Sequence, residues 1–159
     1  MERPKVQLRP VADGDLPIFF EQQLDTEANH MAAFASADPT NRADFDAHWH
    51  KVRADEHITV RTVVYEGQVS GYIVVHRWFG EPEVGYWFGK SFWGNGIATL
   101  ALKLLLDEVD TRPLAARVVA DNVASKRVLE KCGFVISRSL VSFAPARGKN
   151  VTELILTLS

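Results

Sequence analysis

The segment that decides the fold is Phe92-Trp93-Gly94-Asn95-Gly96-Ile97-Ala98-Thr99, which lies between an aromatic strand pattern and a long apolar helix pattern. Glycine tolerates positive φ and lets the backbone approach a ligand closely, so a turn with Gly94 and Gly96 can direct several N–H groups at one anion. The helix that follows adds its unpaired first-turn N–H groups and the positive end of its dipole. The segment therefore predicts a turn that binds pyrophosphate.

Two classes of ligand use such a turn: nucleoside phosphates and dinucleotides on one side, and coenzyme A on the other. A nucleoside-triphosphate loop would close a longer glycine frame with Lys-Ser or Lys-Thr, whereas this turn continues into Ile97-Ala98-Thr99. A dinucleotide-binding turn would place a third glycine where Thr99 stands and would lie near the start of the chain. The flanking residues therefore disfavour both nucleotide classes.

A second motif lies downstream, at Asn122-Val123-Ala124-Ser125-Lys126-Arg127-Val128-Leu129-Glu130-Lys131-Cys132-Gly133-Phe134. Together with the glycine turn, it resembles the GNAT family of N-acetyltransferases, over a region from about Arg9 to Leu158. The likeness is greatest to the ribosomal-protein N-terminal acetyltransferase (RimJ/RimL-like) branch, in which a tryptophan precedes the Gly-x-Gly turn and an Asn-x-x-Ser pair starts the next helix. The resemblance implies acetyl-CoA as co-substrate, no metal, and acetyl transfer to a primary amine of a peptide or protein N-terminus or a small molecule, by direct attack in a ternary complex.

The resemblance also implies which residues bind coenzyme A. They belong to the strand before the turn, to the turn itself and to the start of the downstream helix, and comprise Trp87, Phe88, Gly89, Trp93, Gly94, Asn95, Gly96, Ile97, Ala98, Thr99, Asn122 and Ser125. The family begins this turn with Arg or Gln, and Ser91 occupies that place here. A backbone amide within 87–89 is the expected donor to the thioester carbonyl.

Ser125 is the expected donor to the departing thiolate. A free thiol has a pKa near 8.5, so one hydrogen bond is enough help for this leaving group. The family often places a tyrosine seven residues after the asparagine, but this chain has Leu129 there. The alternative is that Asn122 and Ser125 only close the first helical turn.

Glu83, at the start of the strand that feeds the turn, is the expected general base, acting directly or through water. His76 is the second candidate. A neighbouring branch of the family carries a glutamate five residues before the asparagine, where this chain has Arg117, which cannot act as a base. The alternative for Glu83 is a solvated residue beside a turn.

The missing tyrosine and glutamate motivate an alternative function, a catalytically silent module that binds or senses acetyl-CoA. We favour the enzyme, because thioester aminolysis depends mainly on positioning. Around the acceptor mouth we expect no lysine and four carboxylates, Asp25, Glu27, Glu81 and Glu83. Such a mouth favours a cationic amine over a polyanionic acceptor.

Length, charge and cysteine content indicate the number of domains, the partners and the compartment. The chain has 159 residues and a net charge of −2, without a block of like charges. These values predict one domain over residues 1–159, monomeric or homodimeric, with neither nucleic acid nor membrane as a partner. The single cysteine, Cys132, excludes an internal disulfide, and no signal peptide pattern is present, so we expect a cytoplasmic protein.

The order of elements completes the prediction of the fold. We expect strands at 6–9, 58–65, 69–78, 83–89, 114–120, 135–143 and 151–158, with helices after Asp13 as N-cap, at 41–55, after the glycine turn and after Asn122. This order is that of a GNAT-type α/β (α+β) fold: a mixed, mostly antiparallel sheet of six to seven strands flanked by about four helices. In the family, the strands at 83–89 and 114–120 splay apart around the pantetheine arm.

Two segments are predicted with less regular structure. Segment 25–40, which contains Asn29, His30, Met31 and Phe34, is expected to be a loop or broken helix. In the family this segment helps to wall the acceptor site. At the turn 79–82, Trp78 and Phe79 are expected to pack under a neighbouring loop rather than to form a partner surface.

Overall fold

The computed structural model describes residues 5–32 and 38–159, within which seven strands and five α-helices form. The strands are β1 (Val6–Arg9), β2 (Thr59–Tyr65), β3 (Gln68–His76), β4 (Glu83–Phe88), β5 (Leu114–Val119), β6 (Val135–Ala144) and β7 (Lys149–Leu158). The α-helices are α1 (Leu16–Gln23), α2 (Thr26–Ala32), α3 (Arg42–Ala54), α4 (Ile97–Glu108) and α5 (Val123–Lys131).

The strands form one mixed sheet in the order β1-β2-β3-β4-β5-β7-β6, with a core on each face. On one face, α4 and α5 bury their apolar sides against the strands; this core includes Val63, Ile73, Val84, Ala101, Leu102, Leu105, Leu129 and Leu156. On the other face, α1 and α3 form a second, aromatic core that contains Phe19, Phe45, Trp49 and Val52. The predicted class of fold is therefore confirmed.

β4 and β5 are the one parallel pair of neighbours in the described sheet, and they separate soon after they meet. Glu83 pairs with Ala115 and Val84 pairs with Ala116, although β4 continues for four more residues and β5 for three more. Beyond these pairs β4 stays bonded to β3, and β5 stays bonded to β7. The splay that the family resemblance implies is present, and it opens a gap toward the glycine turn.

Near the chain start, the broken helix expected in segment 25–40 agrees with the structure, whereas the N-cap expected at Asp13 is wrong. Segment 25–40 contains α2, because the Asp25 carboxylate accepts a hydrogen bond from the Ala28 amide at 2.8 Å and so caps a helix there. Phe34 lies outside the described residues. Asp13 is not the N-cap of α1, since it starts a short 3-10 helix and the residue before α1 is Asp15.

The prediction that Trp78 and Phe79 pack under a loop is wrong. Their exposed fractions are 50% and 64%. β3 ends at His76, and the turn leaves both rings at the surface. The Trp78 ring stacks on His76 with centroids 3.8 Å apart, and the guanidinium of Arg117 lies 4.7 Å from the centroid of Phe79. Stacking and a cation–π contact therefore cover one side of each ring.

Asp15 is a buried carboxylate that joins β1 to β2 beside the start of α1. It accepts two hydrogen bonds from the Arg9 guanidinium, at 2.7 and 2.8 Å, one from the Ala12 amide at 2.9 Å and one from Thr62 at 2.7 Å. Burial disfavours the ionised form, but these hydrogen bonds and the charge of Arg9 outweigh it and lower the pKa of Asp15 from 3.8 to about 2. Folding therefore favours the ionised carboxylate.

We expect Asp15→Asn to lower the free energy of unfolding by about 2 kcal/mol at pH 7, because the lost pKa difference is worth about 1.4 kcal/mol per unit. Because the pKa of Asp15 is lower in the folded state, the ionised side chain contributes its full stabilisation of the fold above pH 3.8. This contribution is lost as pH falls toward 2. Urea unfolding at pH 7 and pH 3 measures it. Asp13→Asn is the matched control, since its side chain is 95% exposed, and it should change stability by less than about 0.5 kcal/mol. Equal effects of the two changes would contradict this assignment.

Candidate active site

The glycine turn connects β4 to α4 and has the backbone conformation that the sequence predicts. Gly94 and Gly96 have φ angles of 81° and 72°, in the left-handed region that residues with a Cβ rarely adopt. A Cβ on either residue would meet no other atom within 4 Å. Backbone conformation, and not crowding inside the protein, therefore explains both glycines, and the space in front of them is open to a ligand.

Two side chains of the turn form hydrogen bonds to backbone carbonyls next to it. The indole Nε1 of Trp93 donates to the carbonyl oxygen of Phe88 at 3.0 Å. The amide Nδ2 of Asn95 donates to the carbonyl oxygen of Phe92 at 3.2 Å. These bonds fix the path of the turn, so its N–H groups keep one direction without a ligand.

α4 begins directly after the turn, with Gly96 as N-cap and with no side chain capping its first turn. The amides of Ile97, Ala98 and Thr99 therefore lack an intrahelical acceptor and stand at the positive end of the helix dipole. The Ile97 side chain is buried in the core, so this residue offers only its backbone. Turn and helix together fit a pyrophosphate, as coenzyme A carries.

α5 begins on the opposite side of the gap, with Asn122 as N-cap. Its Oδ1 accepts a hydrogen bond from the Ser125 amide at 3.2 Å, and its Nδ2 donates to the Met31 carbonyl at 3.4 Å. Asn122 and Ser125 therefore do close the first turn of a helix. The cap leaves the Ser125 hydroxyl uncommitted, and that hydroxyl lies 2.7 Å from the phenol oxygen of Tyr86 on β4.

The end of β4 forms the opposite edge of the gap. Phe88 buries its ring in the core, and the Trp87 indole donates to the Gln22 carbonyl at 3.4 Å. The Gly89 amide donates to the Ser70 carbonyl at 2.9 Å and is not available to a thioester. Because backbone groups alternate along an antiparallel strand, the Phe88 amide is directed away from β3, toward the gap.

The opposite face of the sheet carries an ion cluster of Glu83, Arg117 and Glu153. The Nε of Arg117 donates to Glu83 Oε1 at 2.8 Å, and its Nη1 donates to Glu153 Oε1 at 3.2 Å. Both carboxylate side chains are buried. Burial raises the pKa of Glu153 and the charge of Glu83 adds to this, while Arg117 opposes it. Glu83 is therefore a buried, oriented carboxylate and not a solvated residue.

His76 lies opposite Glu83 in the β3–β4 pair. Burial, with Arg117 and His48 nearby, lowers the pKa of His76 to about 4, so its ring is neutral at neutral pH. Its Nδ1 accepts a hydrogen bond from the Trp78 amide at 3.3 Å. The proton of the neutral ring is then on Nε2, which leaves His76 no free lone pair to act as a base.

A cavity of about 160 Å³ opens beside this cluster, between α3 and the middle of the sheet. Its walls include His48 and Trp49 of α3, Tyr72 and His76 of β3, and Gly85 and Tyr86 of β4. Burial lowers the pKa of His48 as well as that of His76. The cavity is therefore aromatic and largely neutral.

Three of the four carboxylates predicted around the acceptor mouth lie beside cations, which lowers the negative charge expected there. Glu27 lies 2.5 Å from the Lys90 ammonium, which also contradicts the expected absence of lysine. Glu81 lies 3.9 Å from the guanidinium of Arg138. Glu83 is bound to Arg117, and Asp25 caps α2.

The sequence did not predict three features of this site, which are Tyr86, Glu153 and the role of Arg117. A charged residue inside an apolar strand pattern signals a buried partner, because an unpaired buried charge is costly. That signal was available for Arg117 and Glu153. Tyr86 offered no comparable signal, since aromatic residues are ordinary in strands.

Two kinds of feature are absent from residues 5–32 and 38–159. No group of three or more His, Cys, Asp or Glu side chains is arranged to hold a metal ion there. In the same residues, no helix has the length and apolar character needed to cross a membrane.

Comparison with known proteins identifies relatives of this arrangement. A family model described as "Acetyltransferase (GNAT) domain" matches residues 5–135. The protein named "Putative ribosomal N-acetyltransferase YdaF" of Bacillus subtilis (strain 168) is 31% identical over 108 residues, which are 64% of this chain and 58% of YdaF. The matches to curated relatives span roughly half of those proteins' length.

Solved structures share the fold. RimJ of Mycobacterium smegmatis, in complex with CoA-disulfide, has a TM-score of 0.80 at 24% identity, over 96% of this chain and 81% of RimJ. The spermidine N-acetyltransferase of Vibrio cholerae, in complex with CoA and spermine, has a TM-score of 0.77 at 18% identity, over 96% of this chain and 95% of that protein. At these identities the likeness is one of fold.

We expect Gly96→Asp to weaken coenzyme A binding at least about 100-fold, because a carboxylate at the N-terminus of α4 would repel the pyrophosphate. Gly96→Asn is the matched control, since it has the same shape and the same tolerance for positive φ but no charge. Titration calorimetry with coenzyme A measures both affinities, and thermal unfolding checks the fold. Equal losses in the two variants would mean that charge is not the cause, and unchanged binding in a folded Gly96→Asp would remove the turn from the cofactor site.

Proposed function

Because the chain belongs to the GNAT acetyltransferase family, we propose that it is an N-acetyltransferase that moves the acetyl group of acetyl-CoA to a primary amine, by direct attack in a ternary complex. The observation that carries the proposal is the gap between β4 and β5, with the glycine turn and the start of α4 at one end. A pyrophosphate on the amides of 94–99 would direct the pantetheine arm along this gap. The thioester would then lie farther along the gap, beside the part of β4 from Gly85 to Phe88 that has left β5.

The protein groups around that point meet the needs of thioester aminolysis. The Phe88 amide, which is directed toward the gap, can polarise the carbonyl without reorganisation. Ser125, across the gap, donates to the sulfur as the carbon–sulfur bond breaks. Glu83, directly or through water, takes the proton that the amine must lose, and Arg117 holds its carboxylate in one orientation.

The surroundings of Glu83 favour a particular kind of acceptor. Glu83 and Glu153 share one guanidinium, so the cluster keeps an excess of negative charge that attracts an ammonium group. The neighbouring cavity is aromatic and close in volume to the roughly 150 Å³ cavities that take up benzene. We therefore propose an acceptor with one amine and an apolar or aromatic body, such as a peptide with an apolar N-terminal residue.

A panel of amines tests function and acceptor together. With acetyl-CoA, thiol release should be at least about 10-fold faster per mole of a peptide with N-terminal phenylalanine than of spermine, because the carboxylates Glu27 and Glu81 that a polycation would need face Lys90 and Arg138. Faster turnover with spermine would contradict the acceptor class. If coenzyme A binds but no amine in the panel releases thiol, the protein is the catalytically silent acetyl-CoA module instead.

The base assignment has its own test. Glu83→Gln keeps the side-chain shape and should lower kcat/KM about 100-fold or more. We expect the wild-type rate to rise with pH and then level off, and this pH dependence should disappear in the variant because the base is lost. Glu81→Gln is the matched control, since Glu81 is exposed in the preceding turn and its nearest cation is 3.9 Å away. Thermal unfolding shows whether loss of the Arg117–Glu83 ion pair destabilises the fold, so that this effect can be told apart from loss of the base. A folded Glu83→Gln with full activity across the pH range would refute the role of Glu83.

A further inference from the structure

The contact between Tyr86 and Ser125 lies at a distinctive place in the fold. Tyr86 pairs with Ile73 of β3, so it belongs to the part of β4 that has already left β5. Its phenol oxygen reaches the Ser125 hydroxyl at 2.7 Å, and Ser125 belongs to α5 on the other side of the gap. This hydrogen bond therefore spans the opening in which the proposed thioester would lie.

Both partners are held in place by the structure around them. The Ser125 amide is bound to Asn122 Oδ1, which fixes the first turn of α5. The Tyr86 ring packs against the main core and lies 5.7 Å from the ring of Phe88, centroid to centroid. The phenol and the hydroxyl can therefore meet with little loss of side-chain freedom.

Either oxygen of this pair could be the donor, and the phenol is the more acidic of the two hydroxyls, which favours donation from Tyr86. Burial raises the pKa of Tyr86 to about 12, although the bond to Ser125 acts in the opposite direction. The phenol therefore keeps its proton throughout the neutral range and can donate it to Ser125 Oγ. A hydroxyl that accepts in this way has its own proton free to point elsewhere.

We propose that Tyr86 is a positioning residue that donates to Ser125 Oγ and thereby directs the Ser125 proton at the sulfur of the departing coenzyme A. The inference rests on the proposed acetyl transfer. In that step, the amine nitrogen forms a bond to the carbonyl carbon, the carbon–sulfur bond breaks, and its electron pair stays on sulfur. Glu83 receives the proton that the amine loses, and the thiolate receives a hydrogen bond from Ser125. Tyr86 from β4 thus supports the leaving group in a chain that has Leu129 at the position where the family often has tyrosine.

A double-mutant cycle tests this role. Ser125→Ala should lower kcat about 10- to 100-fold and Tyr86→Phe about 10-fold, while the affinity for coenzyme A measured by calorimetry changes less than about 2-fold. The double variant should be no slower than Ser125→Ala, because Tyr86 acts only through Ser125. Tyr65→Phe, another tyrosine packed against the same core, is the matched control and should keep kcat within about 2-fold of the wild type.

The outcomes are separable. A Tyr86→Phe variant with wild-type kcat, or losses that multiply in the double variant, would overturn the coupling between the two residues. An unchanged kcat in Ser125→Ala would do so as well, even if Tyr86→Phe failed to fold. Failure of the proposed function looks different, because then the wild-type protein itself releases no thiol with any amine.

Discussion

The divergence of β4 from β5 is the constraint on which the rest of the site depends. In the described sheet the two strands share only the pairs that Glu83 and Val84 make. Backbone groups on the inner edges beyond that point lack a ladder partner, and buried polar groups without partners are costly. An extended ligand with amide groups, such as a pantetheine arm, supplies such partners and completes the sheet where β5 has left it. In the proposed acetyltransferase, coenzyme A would supply these missing hydrogen-bond partners.

Arg117 organises the opposite side of this gap. The neighbouring branch of the family has a glutamate at this position, and a guanidinium there would by itself repel an ammonium group. Two buried carboxylates, on β4 and β7, reverse that effect because they share the one cation. Burying three charges is favourable only when each has partners in good geometry. The departure at Arg117 is thus compensated by Glu83 and Glu153, and the face next to the cavity remains suited to a cationic amine.

Most of the fold could be predicted from periodicity, because alternating strands and the apolar stripe of α4 each follow from local pattern. The glycine turn was predictable for a related reason, since positive φ at Gly94 and Gly96 is a property of the residues themselves. Side-chain partners were not predictable in the same way. Tyr86 meets Ser125, and Arg117 meets Glu153, across separations along the chain that no local pattern records. Phe79 likewise contacts Arg117, a residue from a distant strand.

The chemistry explains why such distant partners can replace a motif residue. Leu129 is 1% exposed and packs in the main core, where a tyrosine would need a polar partner for its hydroxyl. A thiolate leaves with little assistance, so its single hydrogen bond can come from any element that borders the gap. α5 borders it at Ser125 and β4 borders it at Tyr86, on opposite sides. The position of the gap therefore limits where a donor can stand more strictly than the spacing of any one motif does. In the proposed mechanism Ser125 is that donor, while Leu129 stays in the apolar core.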